Sequence, residues 1–291
     1  MLFVPQKVLH LRDELKKKNP KLFGSYMLTS KKDGWYVVIP FLKNLGWQSP
    51  LSSAMREIPS LVWTTTLLNK LERPAYDCYL IAEAIVPDLS FPELNGLLNR
   101  SKGNCDCLDA QFWLHDIVIP SQPDRTAFQR WNILQQLDLK VVSKHFVKMP
   151  LLEVTEFNKD SWRRRFDSEV DNGEEGIIFK RAEDIYYPGK RNSSLLKEKL
   201  ECEVDALAVR LEEGVGEKGN DSLTLVSERK NGIEIRTVIS KHKDKELFRS
   251  KPEEVLGKVV TIKAMSELED GNLRQPVYRW VRYDKQISEI D

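Results

Sequence analysis

From Tyr26 onward, short runs rich in apolar, β-branched and aromatic residues recur along the chain: YMLTSKKD, WYVVIPFL, CYLIAEAIV, FWLHDIVIP and GIIFKR. Their length and composition predict strands. Helical periodicity lies between them. IPSLVWTTTLLNKLE carries Leu61, Leu67, Leu68 and Leu71 at helical spacing, and DRTAFQRWNILQQL is amphipathic. The opening LRDELKKKNPKL reads as a short helix that ends near Pro20, since the residue before a proline is driven out of the helical region. Strands with intervening helices predict an α+β fold, the helices packed outside antiparallel sheets.

The texture changes after Lys199. EVDALAVRLEE, DSLTLVSERK, IEIRTVISK and KVVTIKAMS are strand candidates separated by turn signals such as EKGND and KNG. About five short strands in some ninety residues suit a small β-barrel, of which the OB-fold is the common form. The expected domains are therefore 1–200 and 201–291.

Composition narrows the setting more than the function. Of 291 residues, 41% are hydrophobic and 31% charged, as in a soluble globular protein. No apolar run approaches the roughly 20 residues that span a bilayer, so no membrane association is expected. The first residues place their apolar stretch before their basic cluster, the reverse of a secretory signal. Cys78, Cys105, Cys107 and Cys202 have no framework spacing, and the Cys105–Cys107 triplet has no matching second pair. Free thiols in a reducing cytoplasm are expected, in preference to zinc. Net charge is +1, with 29 basic and 25 acidic residues in 1–200 and 16 and 19 in 201–291. Nucleic-acid binding would have to come from local patches.

Four segments could carry chemistry. In KKDGW, Gly34 permits a tight turn that would leave Lys31 beside a cleft. A lysine nucleophile must shed its proton, which nearby cations or desolvation assist; alone, the segment also reads as a surface turn. In EEGIIFK, Ile177–Phe179 reads as a buried strand with a carboxylate pair at its mouth, where Glu175 could hold a hard cation. In YYPGKRNSSLLKEKL, strand alternation puts Lys197 and Lys199 on one face, where they repel unless an anion such as a triphosphate lies between them. A solvated lysine-rich edge is the alternative. In LRQPVYRWVRYDK, Arg274, Arg279, Arg282 and Lys285 interleave with Tyr278, Trp280 and Tyr283. Alternation there predicts an aromatic core face and a basic outer face able to bind phosphate, or a terminal strand with a charged outer face.

Taken in order, Lys31-x-Asp33-Gly34, Glu83 in IAEAIV, FWLHD, EGIIFK, LLKEK and the C-terminal LRQPVYRWVRYDK resemble the covalent nucleotidyltransferase superfamily. Within it the chain is most similar to ATP-dependent DNA ligases of the minimal viral or bacterial type, from about Tyr26 to Lys285. The segment Arg56–Leu61 is ligase-like as well. The resemblance implies a nucleotidyltransferase (adenylation) domain followed by an OB-fold domain. It implies Lys31 as the nucleophile that takes AMP from ATP, Glu83 on the ribose hydroxyls and His115 where the family stacks an aromatic ring on adenine. It further implies Glu175 at a catalytic Mg²⁺, Lys197 and Lys199 on the α-phosphate, and Arg274, Arg282 and Lys285 on the departing pyrophosphate. Nicked duplex DNA is then the expected partner of a monomeric enzyme.

Two positions depart from the pattern. Tyr36 stands where many ligases have arginine, and Ser52–Ser53 stand where a serine–arginine pair is usual. Arg56 or Arg191 are the candidates to compensate. Rival readings are an RNA ligase, an mRNA capping guanylyltransferase, or an inactive nick-binding module. The LRxP element before the final RxDK favours a DNA ligase over a capping enzyme, and joint retention of Lys31, Glu175, Lys197 and Lys199 argues against inactivity.

Overall fold

The computed structural model describes residues 3–89, 91–100, 106–157, 159–214, 221–268 and 270–290. The chain divides into two compact units, 1–199 and 200–291.

The first unit contains β1 (Lys7–His10), β2 (Ser25–Lys31), β3 (Trp35–Leu42), β4 (Gly46–Trp47), β5 (Leu51–Ser52), β6 (Cys78–Ile85), β7 (Gln111–Val118), β8 (Phe146–Lys148), β9 (Glu153–Glu156), β10 (Gly176–Arg181) and β11 (Arg191–Lys199). Its helices are α1 (Leu11–Leu15), α2 (Thr64–Leu68), α3 (Phe91–Leu98), α4 (Ala127–Gln136) and α5 (Lys159–Asp171). One sheet runs β1-β11-β10-β2-β9 and the other β4-β3-β6-β7-β8, with β5 beside β3. Pairing is antiparallel except for β1 on β11 and β8 on β7.

Each sheet buries one face under helices. On the first, Trp162 and Phe166 of α5 pack against Tyr26, Leu28, Ile177, Phe179 and Leu196. On the second, Leu61, Leu68, Leu94, Leu98 and Leu134 pack against Val37, Ile39, Leu80, Phe112 and Leu114. This burial supplies most of the driving force for folding and leaves the other faces of the two sheets to line a cavity between them.

The five anticipated strand segments of this unit all form. The helix expected over IPSLVWTTTLLNKLE is shorter, a 3₁₀ turn at Pro59–Leu61 and α2 alone. Three consecutive β-branched threonines lower the helical preference there, yet Leu61 and Leu68 reach the core. By contrast α4 starts at a capping box in which Thr126 and Gln129 satisfy each other's backbone N–H groups. The opening helix is confined to Leu11–Leu15, and strand β1 before it was not anticipated. Cys78 and Cys107 are buried free thiols; Cys105 lies outside the described residues.

The second unit contains β12 (Cys202–Glu213), β13 (Leu223–Glu228), β14 (Glu234–Val238), α6 (His242–Ser250), β15 (Val259–Ala264), β16 (Ser266–Glu267), β17 (Leu273–Arg274) and β18 (Val277–Val281). Its five-stranded sheet, β14-β13-β12-β15-β18, is antiparallel throughout around Val204, Ala206, Leu225, Ile262 and Tyr278. The expected aromatic face of β18 does not form. Tyr278 pairs with Ile262 and Trp280 with Thr261, so Arg279 is an extra, bulged residue. The bulge reverses the alternation, leaving Tyr278 buried while Trp280 and Tyr283 are exposed. No helix among the described residues is long and apolar enough to cross a membrane.

Two glycines test the packing. At Gly176 (φ +151°), an added Cβ would lie 2.2 Å from the Glu198 carbonyl oxygen, whereas at Gly96, inside α3, it would meet nothing within 4 Å. Gly176→Ala should lower unfolding free energy by about 1–3 kcal/mol, and Gly96→Ala should raise it by roughly 0.5–1 kcal/mol. Urea denaturation of both variants checks the pair.

Candidate active site

The KKDGW segment is the passage between sheets. Lys31 ends β2 in the first sheet and Trp35 begins β3 in the second. Gly34 is required here for close approach: a Cβ would sit 2.5 Å from the Ala84 carbonyl oxygen and 2.9 Å from the Glu83 side chain. Positive φ is not what selects glycine at this position. The Gly34 N–H donates to the Glu83 carboxylate, tying turn to strand.

Register then gathers the cations. Lys31 lies opposite Gly176 and Gly176 opposite Lys199; two residues along, Thr29, Ile178 and Lys197 form the next row on the same face. Lys197 and Lys199 are part-exposed on one face of β11, while Leu196 and Glu198 are buried on the other. The Glu175 carboxylate lies between two of these lysines. It pairs with Lys31 and stands 3.7 Å from the Lys199 Nζ. Lys31 is thus a paired, largely sheltered amine, 18% exposed. Its neighbour Lys32 pairs with Glu174 and holds its Nζ 4.3 Å from the centre of the Trp113 ring. Lys197 titrates low, at about 8, through burial first and then repulsion from Lys31 and Lys199. Parallel β1 adds His10 beside Lys197; burial and that lysine pull its imidazole down to about 4.

The second sheet faces this row. Tyr36, Glu83 and Trp113 are direct cross-strand neighbours. In β7 the pairing skips a residue: Ala82 matches Leu114 and Ile81 matches Asp116, leaving His115 as a bulge. Bulges re-aim side chains, and here His115 and Asp116 both reach the cavity while Leu114 and Ile117 remain in the core. His115 is neutral across the ordinary range, its pKa drawn down to about 3 by burial and by Lys180. Burial would raise the Asp116 carboxyl, but Arg130 and Lys180 outweigh it and hold it far below the usual carboxylate range. Arg130 grips Asp116 at 2.9 and 3.2 Å, and Lys180 donates to it at 2.8 Å and to the His115 carbonyl at 2.9 Å.

The resulting cavity, about 240 Å³, is lined by Lys31, Glu83, His115 and Lys197, with Ile178 from the first sheet. Glu175 and Lys199 stand beside Lys31. Arg274, Arg282 and Lys285 belong to the second unit. There Arg282 and Lys285 pair with the buried Asp205, at 3.1 and 2.6 Å, and Arg282 also pairs with Asp284, while Arg274 closes β17. Arg56 and Arg191 are exposed. Sequence reasoning gave no role to Asp116, Lys180, Arg130 or Tyr186, or to Tyr36 as a cavity wall. A signal existed: Asp116 and Lys180 are charged residues inside strand runs otherwise bound for burial, and buried charges require partners. Among the described residues, no group of three His, Cys, Asp or Glu side chains is arranged to hold a metal ion.

Glu83 gives a pH test. Burial, reinforced by Glu175, raises its carboxyl to about 7 against Lys31, which lowers it. The folded chain therefore holds a proton that the unfolded chain releases near 4.5. The resulting stabilisation is full below that value and is lost as pH rises through about 7. Glu83→Gln should match the parent near pH 4.5 and exceed it by on the order of 2 kcal/mol at pH 8, partial exposure reducing the full linkage value. Chemical denaturation at the two pH values measures the difference.

No protein-family model and no curated protein matches the chain. Solved structures do. A protein named Pmar-Lig superposes with a TM-score of 0.74 at 22% identity, over 97% of this chain and 68% of its own. A structure from work on DNA binding by the minimal Lig E DNA ligases gives 0.71 at 16% identity, over 97% and 100%. The ATP-dependent DNA ligase of bacteriophage T7, in complex with ATP, gives 0.54 at 18% identity, over 96% and 98%. Identities this low establish architecture: the chain has the fold of the DNA ligases.

Proposed function

We propose that the chain is an ATP-dependent DNA ligase that seals 3′-hydroxyl/5′-phosphate nicks in duplex DNA through a lysyl–AMP on Lys31. One observation carries this reading: the Lys31 amine stands at a cavity it shares with Glu83, His115 and Lys197, next to Glu175 and Lys199. Residues 1–200 are read as the adenylation domain and 201–291 as the OB domain. In support of the latter, the two edge strands of the second unit's sheet, β14 and β18, approach each other as in a closing barrel. The ATP held by the similar phage T7 ligase supports ATP as substrate, and the Lig E work on DNA binding supports DNA as partner. Both weigh against an RNA ligase, a capping enzyme or an inactive module.

In the first step the Lys31 amine attacks the α-phosphorus of ATP. A nitrogen–phosphorus bond forms, the bond to the bridging oxygen breaks and pyrophosphate leaves. The flat base would lie between the His115 ring and Ile178, which face each other from opposite sheets, and Glu83 would take the ribose hydroxyls. Lys197 and Lys199 would neutralise α-phosphate charge, as electrostatic stabilisation at phosphorus requires. Glu175, which pairs with Lys31 in this structure, would be the carboxylate that holds Mg²⁺. A cation bound by a single protein carboxylate, with phosphate oxygens and water completing the shell, is the usual magnesium arrangement. Bound there, Mg²⁺ would neutralise charge on the phosphates. The 5′-phosphate of the nick then displaces Lys31 from AMP, and the 3′-hydroxyl attacks that 5′-phosphorus to close the strand and release AMP. Arg274, Arg282 and Lys285 would orient the pyrophosphate in the first step only.

Incubation with labelled ATP or GTP and Mg²⁺, followed by denaturation, should leave label from ATP on the chain. Lys31→Ala and Lys31→Arg should both abolish it, since arginine keeps its charge and cannot attack. Label on Lys31→Ala would refute the assignment.

The second unit should act by step. Arg274→Ala and Arg282→Ala should slow sealing of a plain nick about tenfold or more, each removing a charged phosphate contact. Their sealing of a pre-adenylated nick should stay much closer to the parent rate. Equal loss on both substrates would reject the role.

A further inference from the structure

Tyr36 belongs to a closed circuit of contacts along one wall of the cavity. Its ring centre lies 6.1 Å from that of His115, tilted by 53°. On its other side Tyr36 packs on the cluster of Phe3, Ile81 and Tyr186. Tyr186 is fixed from three directions. Its hydroxyl accepts from the Gln6 backbone N–H at 2.7 Å, Phe3 stacks on its ring at 5.8 Å, and the Arg130 guanidinium lies 5.5 Å from its ring centre. Arg130 in turn grips Asp116, the residue after His115. The circuit is thus His115, Tyr36, Tyr186, Arg130, Asp116 and back to His115.

His115 needs such support. As the bulged residue of β7 it has no cross-strand partner to fix its ring, and a neutral imidazole has no ionic partner to hold it. Two neighbours are held in place beside it, Asp116 by Arg130 and Lys180 and Tyr36 by Tyr186. Asp116 is clamped through the chain, and Tyr36 bears on the ring itself.

We propose that Tyr36 is a positioning residue for the nucleoside: wedged against Tyr186, it sets the plane of the His115 ring on which the base stacks. This rests on the nucleotide site proposed above. The aromatic ring makes the contact with His115, ring to ring, and the Tyr36 hydroxyl donates to the Tyr186 hydroxyl, tying that ring to its support.

The test uses the full chain and ATP in two measurements, equilibrium binding by calorimetry and the ATP concentration at half-maximal self-labelling. Tyr36→Leu should weaken ATP binding about tenfold, in the range lost when base stacking is disturbed. The loss should fall mainly on the half-maximal concentration rather than on the maximal labelling rate. Tyr36→Phe should restore affinity to within about threefold of the parent, since it keeps the ring and loses only the hydroxyl's hydrogen bond to Tyr186. A purely structural Tyr36 would lower the unfolding temperature of Tyr36→Leu and leave ATP affinity of the folded protein unchanged, which would overturn the proposal. If Tyr36→Leu fails to fold, Tyr36→Met, which fills space without a flat ring, takes its place with the same expected loss. Label with unchanged affinity in the variant rejects Tyr36 alone. ATP binding without label in the parent rejects the lysyl transfer while the role of Tyr36 is still read from binding.

Discussion

Three residues, Lys32 to Gly34, carry the chain from one sheet to the next, and the site follows from how closely they do so. Gly34 lies so near the β6 backbone that no side chain fits. That contact fixes the spacing between the end of β2 and the start of β3, and so the distance between the inner faces of the two sheets. Lys31 on one side and Glu83 on the other are brought together by it. The apolar packing under the helices stabilises each sheet separately; the crossing joins them at one end of the cavity, and Lys180 of β10, bonded to Asp116 and the His115 carbonyl of β7, joins them again at its wall.

The cavity is electrostatically unfavourable by construction. Lys31, Lys197 and Lys199 converge with the Glu175 carboxylate between two of them, and Lys197, through burial first and then the other two lysines, holds its proton less firmly. Glu83 responds the other way and keeps its proton near neutrality. A polyanion entering this space would relieve the lysines, since it supplies the charge they lack and draws Glu175 off Lys31, while beside it Glu83 would keep its proton more firmly still. Strain of this kind at a functional site is offset elsewhere. Here the buried Asp116–Arg130–Lys180 cluster, fully satisfied, fixes the cavity wall a few residues away.

The second unit shows the same economy of charge on a smaller scale. Asp205, buried on β12, accepts from the Thr261 hydroxyl and pairs with Arg282 and Lys285. The basic stripe at the end of the chain is therefore partly neutralised within its own unit. Its aromatic members are divided by a single bulged residue, Arg279, with Tyr278 turned into the core and Trp280 out to solvent.

Much of this was written in the sequence because it depends on local period. Strands β2, β3, β6, β7 and β10 follow from runs of apolar and β-branched residues, and the common face of Lys197 and Lys199 follows from alternation along β11. The ordered motifs also picked out Lys31, Glu83, His115, Glu175 and Lys197, which tertiary folding gathers around one cavity. What local period cannot encode is a register shift. The bulges at His115 and Arg279 each insert one residue, reversing every side chain beyond them, and they are defined only by the pairing with the neighbouring strand. Nor could the sequence reveal partners distant along the chain. Tyr36 touching His115, Gln6 holding Tyr186, and Arg130 clamping Asp116 join residues up to 180 positions apart. The sequence determined which residues form strands and carry charge. Tertiary structure alone decided which of them meet, because only the packing of two sheets sets distances between residues that no local rule connects.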